Sequence, residues 1–183
     1  IPYGVPPIGK RRWQAPELAP SWTGVRDASE FSPDAMQNPQ PEHTLYYRHS
    51  IPTSEDCLYL NVWTQSEETI NHKKRPVMVW IHGGGLVMGG ASEVIYDGFE
   101  LAQKGVVVVT INYRLGIFGY FAHPELSAES SHGVSGNYGT QDQILALQWV
   151  RKNISAFGGD PHNVTIFGES AGSWSVSHLL ASP

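Results

Sequence analysis

A serine set between glycines, Gly168-Glu169-Ser170-Ala171-Gly172, is the stretch of this sequence best suited to covalent chemistry. The G-x-S-x-G spacing lets a strand end in a sharp turn that lifts the serine hydroxyl off the sheet as a nucleophile. The glycines have a steric task. A tight turn brings neighbouring backbone together, and a side chain at either position would collide. The pentapeptide alone leaves an alternative open: an ordinary strand-to-helix turn whose serine merely caps the helix.

A second cluster, Gly83-Gly84-Gly85, follows Trp80-Ile81-His82. Successive glycines leave N–H groups unshielded, so they can aim at negative charge building on a substrate oxygen. Removing one side-chain donor of this kind typically costs about 100- to 1000-fold in rate. The competing readings are a flexible turn and a phosphate cradle. The cradle fits worse: no G-x-x-x-x-G-K-[ST] occurs, and the glycine after Gly83-x-Gly85 is Gly89, one residue late for G-x-G-x-x-G. Glycine cluster and elbow together point to acyl transfer.

A serine hydroxyl needs a base, and the base needs an orienting acid. Thirteen residues follow Ser170; they hold no carboxylate and one histidine, His178. On a helix His178 would stand roughly 12 Å along the axis from Ser170, out of reach. The other seven histidines precede the serine. His82 adjoins the glycine cluster and is expected to shape that loop rather than act as base. The acid and the histidine are therefore expected from outside this segment, which alone is expected to be inactive.

These groups need a scaffold. Val164 to Phe167 reads as a short buried strand leading into the elbow, and Trp174, Val176, Leu179 and Leu180 suit a packed helix after it. Leu58 to Trp63 and Val77 to Ile81 read as strands. Val106 to Ile111 is apolar on both faces, as a strand covered by helices requires. Phe99 to Lys104 reads as a short helix ending at Gly105. Thr140 to Ile154 is the clearest helix, with Ile144, Leu147, Val150 and Ile154 near one face and Phe157-Gly158-Gly159 ending it. Alternating strands and helices predict a mostly parallel central sheet flanked by helices.

Residues 1 to 56 differ. Prolines recur and exclude one regular helix. The stretch reads as ordered loops and edge strands over the core, its aromatics engaged in packing. Tyr46-Tyr47 and His49 are weaker candidates for a pocket mouth. Arg11-Arg12 and Lys73-Lys74-Arg75 read as solvated loop charges.

Composition narrows the class. With 40% hydrophobic and 16% charged residues the chain is globular. A net charge of −5 argues against a nucleic-acid surface. No run approaches the roughly 18 to 20 apolar residues of a membrane span. Cys57 is the one cysteine, so no internal disulfide forms. It reads as a small buried residue at a strand start. Asn153-Ile154-Ser155 and Asn163-Val164-Thr165 match glycosylation acceptors, but lie in segments expected to pack.

Several stretches together resemble the type-B carboxylesterases, the cholinesterase-like branch of the α/β-hydrolases. They are Ile1-Pro2-Tyr3-Gly4, Glu55-Asp56-Cys57-Leu58-Tyr59-Leu60-Asn61-Val62-Trp63, Asn112-Tyr113-Arg114, Gly136-Asn137-Tyr138-Gly139, and Phe157-Gly158-Gly159-Asp160-Pro161 leading into the elbow. The resemblance runs from residue 1 to residue 183. It implies the N-terminal part of a single α/β-hydrolase catalytic domain, with 1–56 as its proline-rich loops and 57–183 as its sheet core through the elbow. It implies Ser170 as nucleophile and Gly84, Gly85 and Ala171 as oxyanion donors. Glu169 would stand beside the nucleophile at the acyl-binding gorge. Leu86, Val87 and Met88, just past the oxyanion glycines, read as lining an apolar acyl pocket, with simple core packing equally open for Val87 and Met88. In the family order an acid and then a histidine follow the serine. Secreted members often pair the cysteine equivalent to Cys57 with one near Asp34-Ala35-Met36-Gln37, where Met36 stands here. The absent bridge leans toward a reducing, cytoplasmic compartment. The implied function is hydrolysis of small-molecule carboxylic esters through an acyl-enzyme, with no metal or organic cofactor. Its implied partners are the ester and the C-terminal remainder of the protein. Two alternatives stay open: a non-catalytic interaction domain on the same fold, and a lipase acting at interfaces.

Overall fold

The computed structural model describes residues 1–39, 52–65 and 74–182. Tyr46, Tyr47, His49 and Lys73 lie outside the described residues.

Among its described residues, the proline-rich N-terminal segment lies over the core with little regular structure. Its two short strands, β1 (Asp34–Ala35) and β2 (Thr53–Ser54), pair in parallel. Single bridges tie Pro2 to Tyr59 and Gly4 to Leu18. Tyr3 is fully buried and its hydroxyl donates to the Asn112 carbonyl at 2.7 Å. Trp22 and Phe31, by contrast, are exposed among the described residues, so only part of the aromatic content is packed.

The main sheet holds β3 (Leu60–Trp63), β4 (Arg75–Ile81), β5 (Val107–Ile111) and β6 (Gly159–Gly168), in the order β3-β5-β4-β6. β4, β5 and β6 run parallel, and β3 is antiparallel to β5. β5 is buried at every position, as its two-faced apolar sequence requires. On one face Val77, Val79, Ile81, Val107, Val109 and Ile111 join a core with Leu145, Ala146, Trp149 and Val150. Burying each such aliphatic side chain contributes about 1.5–3 kcal/mol. Val108, on the other face, packs beneath Gly98 at the start of α1 (Phe99–Ala102). Two short helices, α2 (Gly116–Tyr120) and α3 (Pro124–Glu129), lead to α4 (Tyr138–Asn153); α5 (Ala171–Ala181) follows β6. Among the described residues no helix is long and apolar enough to cross a membrane.

Five sequence expectations need correction. β6 begins at Gly159, not Val164: Gly159 pairs with Arg75, and a register shift follows before Val164 pairs with Val77. Asp160 and Asn163, weak strand formers, fall in the irregular stretch between the paired residues. Arg75 is no solvated loop charge: it opens β4 and is 9% exposed. Arg12 is likewise engaged, reaching both Glu55 oxygens at 2.6 Å. On α4 the most buried face holds Leu145, Ala146, Trp149 and Val150, while Ile144 and Leu147 are half-buried. On α5 the buried face is Ala171, Gly172 and Ser175, with Val176 and Leu179 partly covered; Trp174 and Leu180 are 67% and 78% exposed.

Candidate functional site

Register brings the two glycine-rich segments together. Ile81 of β4 pairs with Gly168 of β6 and with Ile111 of β5. Parallel neighbours thus end at one level, and His82-Gly83 leaves β4 beside the point where Glu169-Ser170 leaves β6. The carboxyl ends of parallel strands are where open α/β sheets place their ligands.

The elbow is tight. A Cβ on Gly172 would overlap the Ile81 carbonyl oxygen, and one on Gly168 would lie 2.7 Å from that oxygen and from the Gly172 carbonyl carbon. Both glycines are required by close backbone approach, as the sequence implies. Ser170 between them adopts φ 52°, ψ −120°, a region that a residue with a side chain rarely occupies. Holding a side chain there costs about 1–3 kcal/mol. Ser170 is exposed, and its side chain makes no capping hydrogen bond to α5. The reading of this serine as a simple helix cap therefore fails. The first turn closes through the backbone instead: Gly172 donates to Glu169 O at 2.8 Å, and Ser173 and Trp174 donate to Ser170 O.

The glycine run abuts this turn. A Cβ on Gly83 would lie 2.7 Å from Glu169 Oε2, 2.9 Å from Glu169 O and 3.2 Å from Ser170 Cβ. Beyond it the loop closes on itself, with Val87 and Met88 both donating to the Gly84 carbonyl at 3.1 Å. Leu86 takes φ 64°, is half-buried against the core, and accepts a 2.7 Å bond from Gly116 N–H. Among the described residues, no hydrogen bond takes up the N–H of Gly84, Gly85 or Ala171. Glu169 is exposed, as are Gly85 and Val87, while Met88 is half-buried.

His82 serves the loop. It is buried, its ring stacks on Tyr113 at 4.4 Å, and Tyr113 Oη donates to the His82 carbonyl at 2.7 Å. Burial pushes the Tyr113 hydroxyl well above the usual tyrosine range. His82 Nδ1 lies 2.8 Å from the Gly83 carbonyl. A carbonyl only accepts, so Nδ1 carries the proton in that bond. His178 is exposed on α5, two turns past Ser170.

One contributor gave no sequence signal: Gln37, whose side-chain amide binds both backbone polar groups of Gly89. Beneath the N-terminal segment, Met36 and Cys57 line the same small cavity, and burial pushes the Cys57 thiol upward. Arg114 and Asp142 form a buried bidentate pair at 2.7 and 2.8 Å, with the Arg114 guanidinium 5.4 Å from the Tyr138 ring centre. A cavity of about 610 Å³ lies between residues 18–33 and the end of α4, but neither the glycine run nor the elbow lines it.

The sheet order, the turn after β6 and the helix that follows define an α/β-hydrolase fold, which solved esterase structures share. A thermophilic PNB esterase superposes over the whole chain with a TM-score of 0.87 at 49% identity, the chain covering 36% of it. The chain belongs to the carboxylesterase family, which it matches over residues 1–183. It is 50% identical over 183 residues to the fumonisin B1 esterase of Sphingopyxis macrogoltabida, all of this chain and 33% of that protein. It is also 50% identical over 184 residues to the para-nitrobenzyl esterase of Bacillus subtilis (strain 168), 36% of that protein. The chain thus spans about a third of the length of the curated relatives it matches.

Proposed function

We propose that residues 1–183 are the N-terminal part of one catalytic domain of a serine carboxylic-ester hydrolase, with Ser170 as its nucleophile. One observation carries the reading. Ser170 is held in a strained, uncapped turn, at the strand ends where Gly83, first of the glycine run, abuts it. Strain persists where the surrounding structure over-determines it, and such sites cluster at reacting groups.

In this reading Ser170 Oγ attacks the ester carbonyl carbon, and the carbonyl electron pair moves onto oxygen. The N–H groups of Gly84, Gly85 and Ala171, unclaimed by other acceptors, receive that charge. Ala171 opens α5, so the helix N-terminus adds its positive end. Collapse of the tetrahedral adduct breaks the bond to the alcohol oxygen and leaves an acyl-serine, which water then hydrolyses. A histidine oriented by a carboxylate, both beyond this segment, takes the serine proton and returns it to the leaving alcohol. The buried His82, engaged with Gly83 and Tyr113, supports that assignment. Glu169 and Leu86 flank the acyl position. The names of the two bacterial relatives support a carboxylic ester of a small molecule as substrate. A lone buried Cys57 facing Met36 supports a reducing compartment.

The test is turnover of p-nitrophenyl acetate by the full-length protein and by Ser170→Ala. Hydrolysis that falls to background in a folded variant is expected. Hydrolysis that survives the substitution removes Ser170 from the chemistry.

A further inference from the structure

We infer that Gln37 is a positioning residue for the oxyanion loop, a side-chain latch that sets where the Gly84 and Gly85 N–H groups stand. The inference rests on the oxyanion reading above. Gln37 follows β1 and lies 52 residues from its partner. Its Nε2 donates to the Gly89 carbonyl at 2.8 Å, and Gly89 N–H donates back to Oε1 at 2.9 Å. A further bond from Nε2 to Ala35 O at 3.1 Å fixes the side chain. The pair reproduces the accept-and-donate pattern of two backbone amides.

Gly89 is where such a latch has leverage. It is buried, at φ +111°, and a Cβ there would lie 2.5 Å from His82 Nδ1 and 2.8 Å from the Gly83 carbonyl oxygen. The end of the loop therefore rests on its beginning. The contact continues through Met88, which donates to the Gly84 carbonyl. Without Gln37 the buried Gly89 peptide loses partners for both its polar groups, and the loop relieves this by moving. Motion at Gly89 bears on Gly83 and Gly84, and through them on the donors. Such displacement weakens interactions made chiefly in the transition state, so it acts on kcat rather than KM.

Two variants of the full-length protein test the latch. Gln37→Met keeps the shape and removes both bonds. Its kcat, counted per phosphonate-titrated site, is expected to fall about 10- to 100-fold with KM within about twofold. Affinity for a trifluoromethyl ketone, which forms the tetrahedral oxyanion, is expected to fall by the same factor as kcat/KM. Gln37→Glu restores accept-and-donate geometry only when its carboxyl is protonated; the carboxylate cannot donate to Gly89 O. The Asp34 and Glu93 carboxylates, both against Gly90, and the facing carbonyls disfavour ionisation there. His82, on the other side of Gly89, is common to both proteins and divides out in a ratio. The ratio of Gln37→Glu to wild-type kcat is therefore expected to rise as pH falls, and it decides alone if the methionine variant fails to fold. A wild-type protein without esterase activity would overturn the functional reading itself. An active wild type, with Gln37→Met within threefold of it or a flat Gln37→Glu ratio, overturns the latch.

Discussion

Replacing Ser170 by glycine and by alanine separates the strain of the elbow from its chemistry. Both variants lose the hydroxyl, and both are expected to lose turnover. They differ in the Cβ that φ 52°, ψ −120° tolerates poorly. Removing that Cβ relieves about 1–3 kcal/mol of strain. Glycine returns about 0.4–1 kcal/mol through the greater freedom of its unfolded chain. Little packing is lost, since the helix cap is made by backbone rather than by the serine side chain. The difference leaves Ser170→Gly about 1 kcal/mol more stable than Ser170→Ala. Asn137, at φ 56°, ψ 20°, is the internal control. It lies in the ordinary left-handed region that asparagine tolerates, so Asn137→Gly is expected to change stability by under about 0.5 kcal/mol. The assay is urea unfolding of the full-length variants with a shared m-value. A Ser170→Ala protein as stable as Ser170→Gly, or more so, would refute the strained elbow.

Other consequences follow from the same contacts. Gly83→Ala, whose Cβ would lie 2.7 Å from Glu169 Oε2 and 3.2 Å from Ser170 Cβ, is expected to lower kcat/KM for p-nitrophenyl acetate about 100-fold by parting loop and elbow. Gly85→Ala would meet only Val87 Cγ2, at 3.9 Å, and keeps its N–H; it bears the backbone strain of a Cβ at φ +62° and is expected to lose about tenfold. A reversed order in steady-state kinetics would contradict the juxtaposition. Arg114→Met leaves Asp142 buried without its bidentate partner and is expected to cost about 3–5 kcal/mol in urea unfolding; a loss under about 1 kcal/mol would show that Asp142 finds other partners. Cys57, 1% exposed with its thiol pushed upward, is expected to resist a thiol reagent at pH 8 until the protein unfolds. Peptide mapping reads this, and rapid modification of native protein at Cys57 would contradict the packing.

What the sequence revealed and what it hid divide along physical lines. β5 was legible because a strand covered on both faces has no polar side to confuse it. The elbow was legible because close backbone approach excludes side chains at 168 and 172, and only glycine meets that need. The two glycine-rich segments could be named separately, but their adjacency is a matter of strand order, which β4 pairing with β6 decides. α5 misled because apolar type does not by itself set burial: Trp174 and Leu180 remain exposed among the described residues while Ser175 is buried against Gln143. The polar start of β6 misled because one distant pair, Gly159 with Arg75, extends the strand past an irregular stretch that carries no strand pattern of its own. Gln37 left no trace: a glutamine after a two-residue strand has no pattern, and its meaning lies in a contact 52 residues away.

The central claim is that Ser170 is the activated nucleophile, and its most direct test is covalent. The full-length protein is treated with an aryl phosphonate at stoichiometric excess, digested, and mapped by mass spectrometry. One adduct per active chain is expected on the peptide carrying Gly168-Glu169-Ser170-Ala171-Gly172, appearing at the rate at which esterase activity is lost and absent from Ser170→Ala. An adduct on another serine that tracks the loss of activity, or undiminished hydrolysis by Ser170→Ala, would contradict the account.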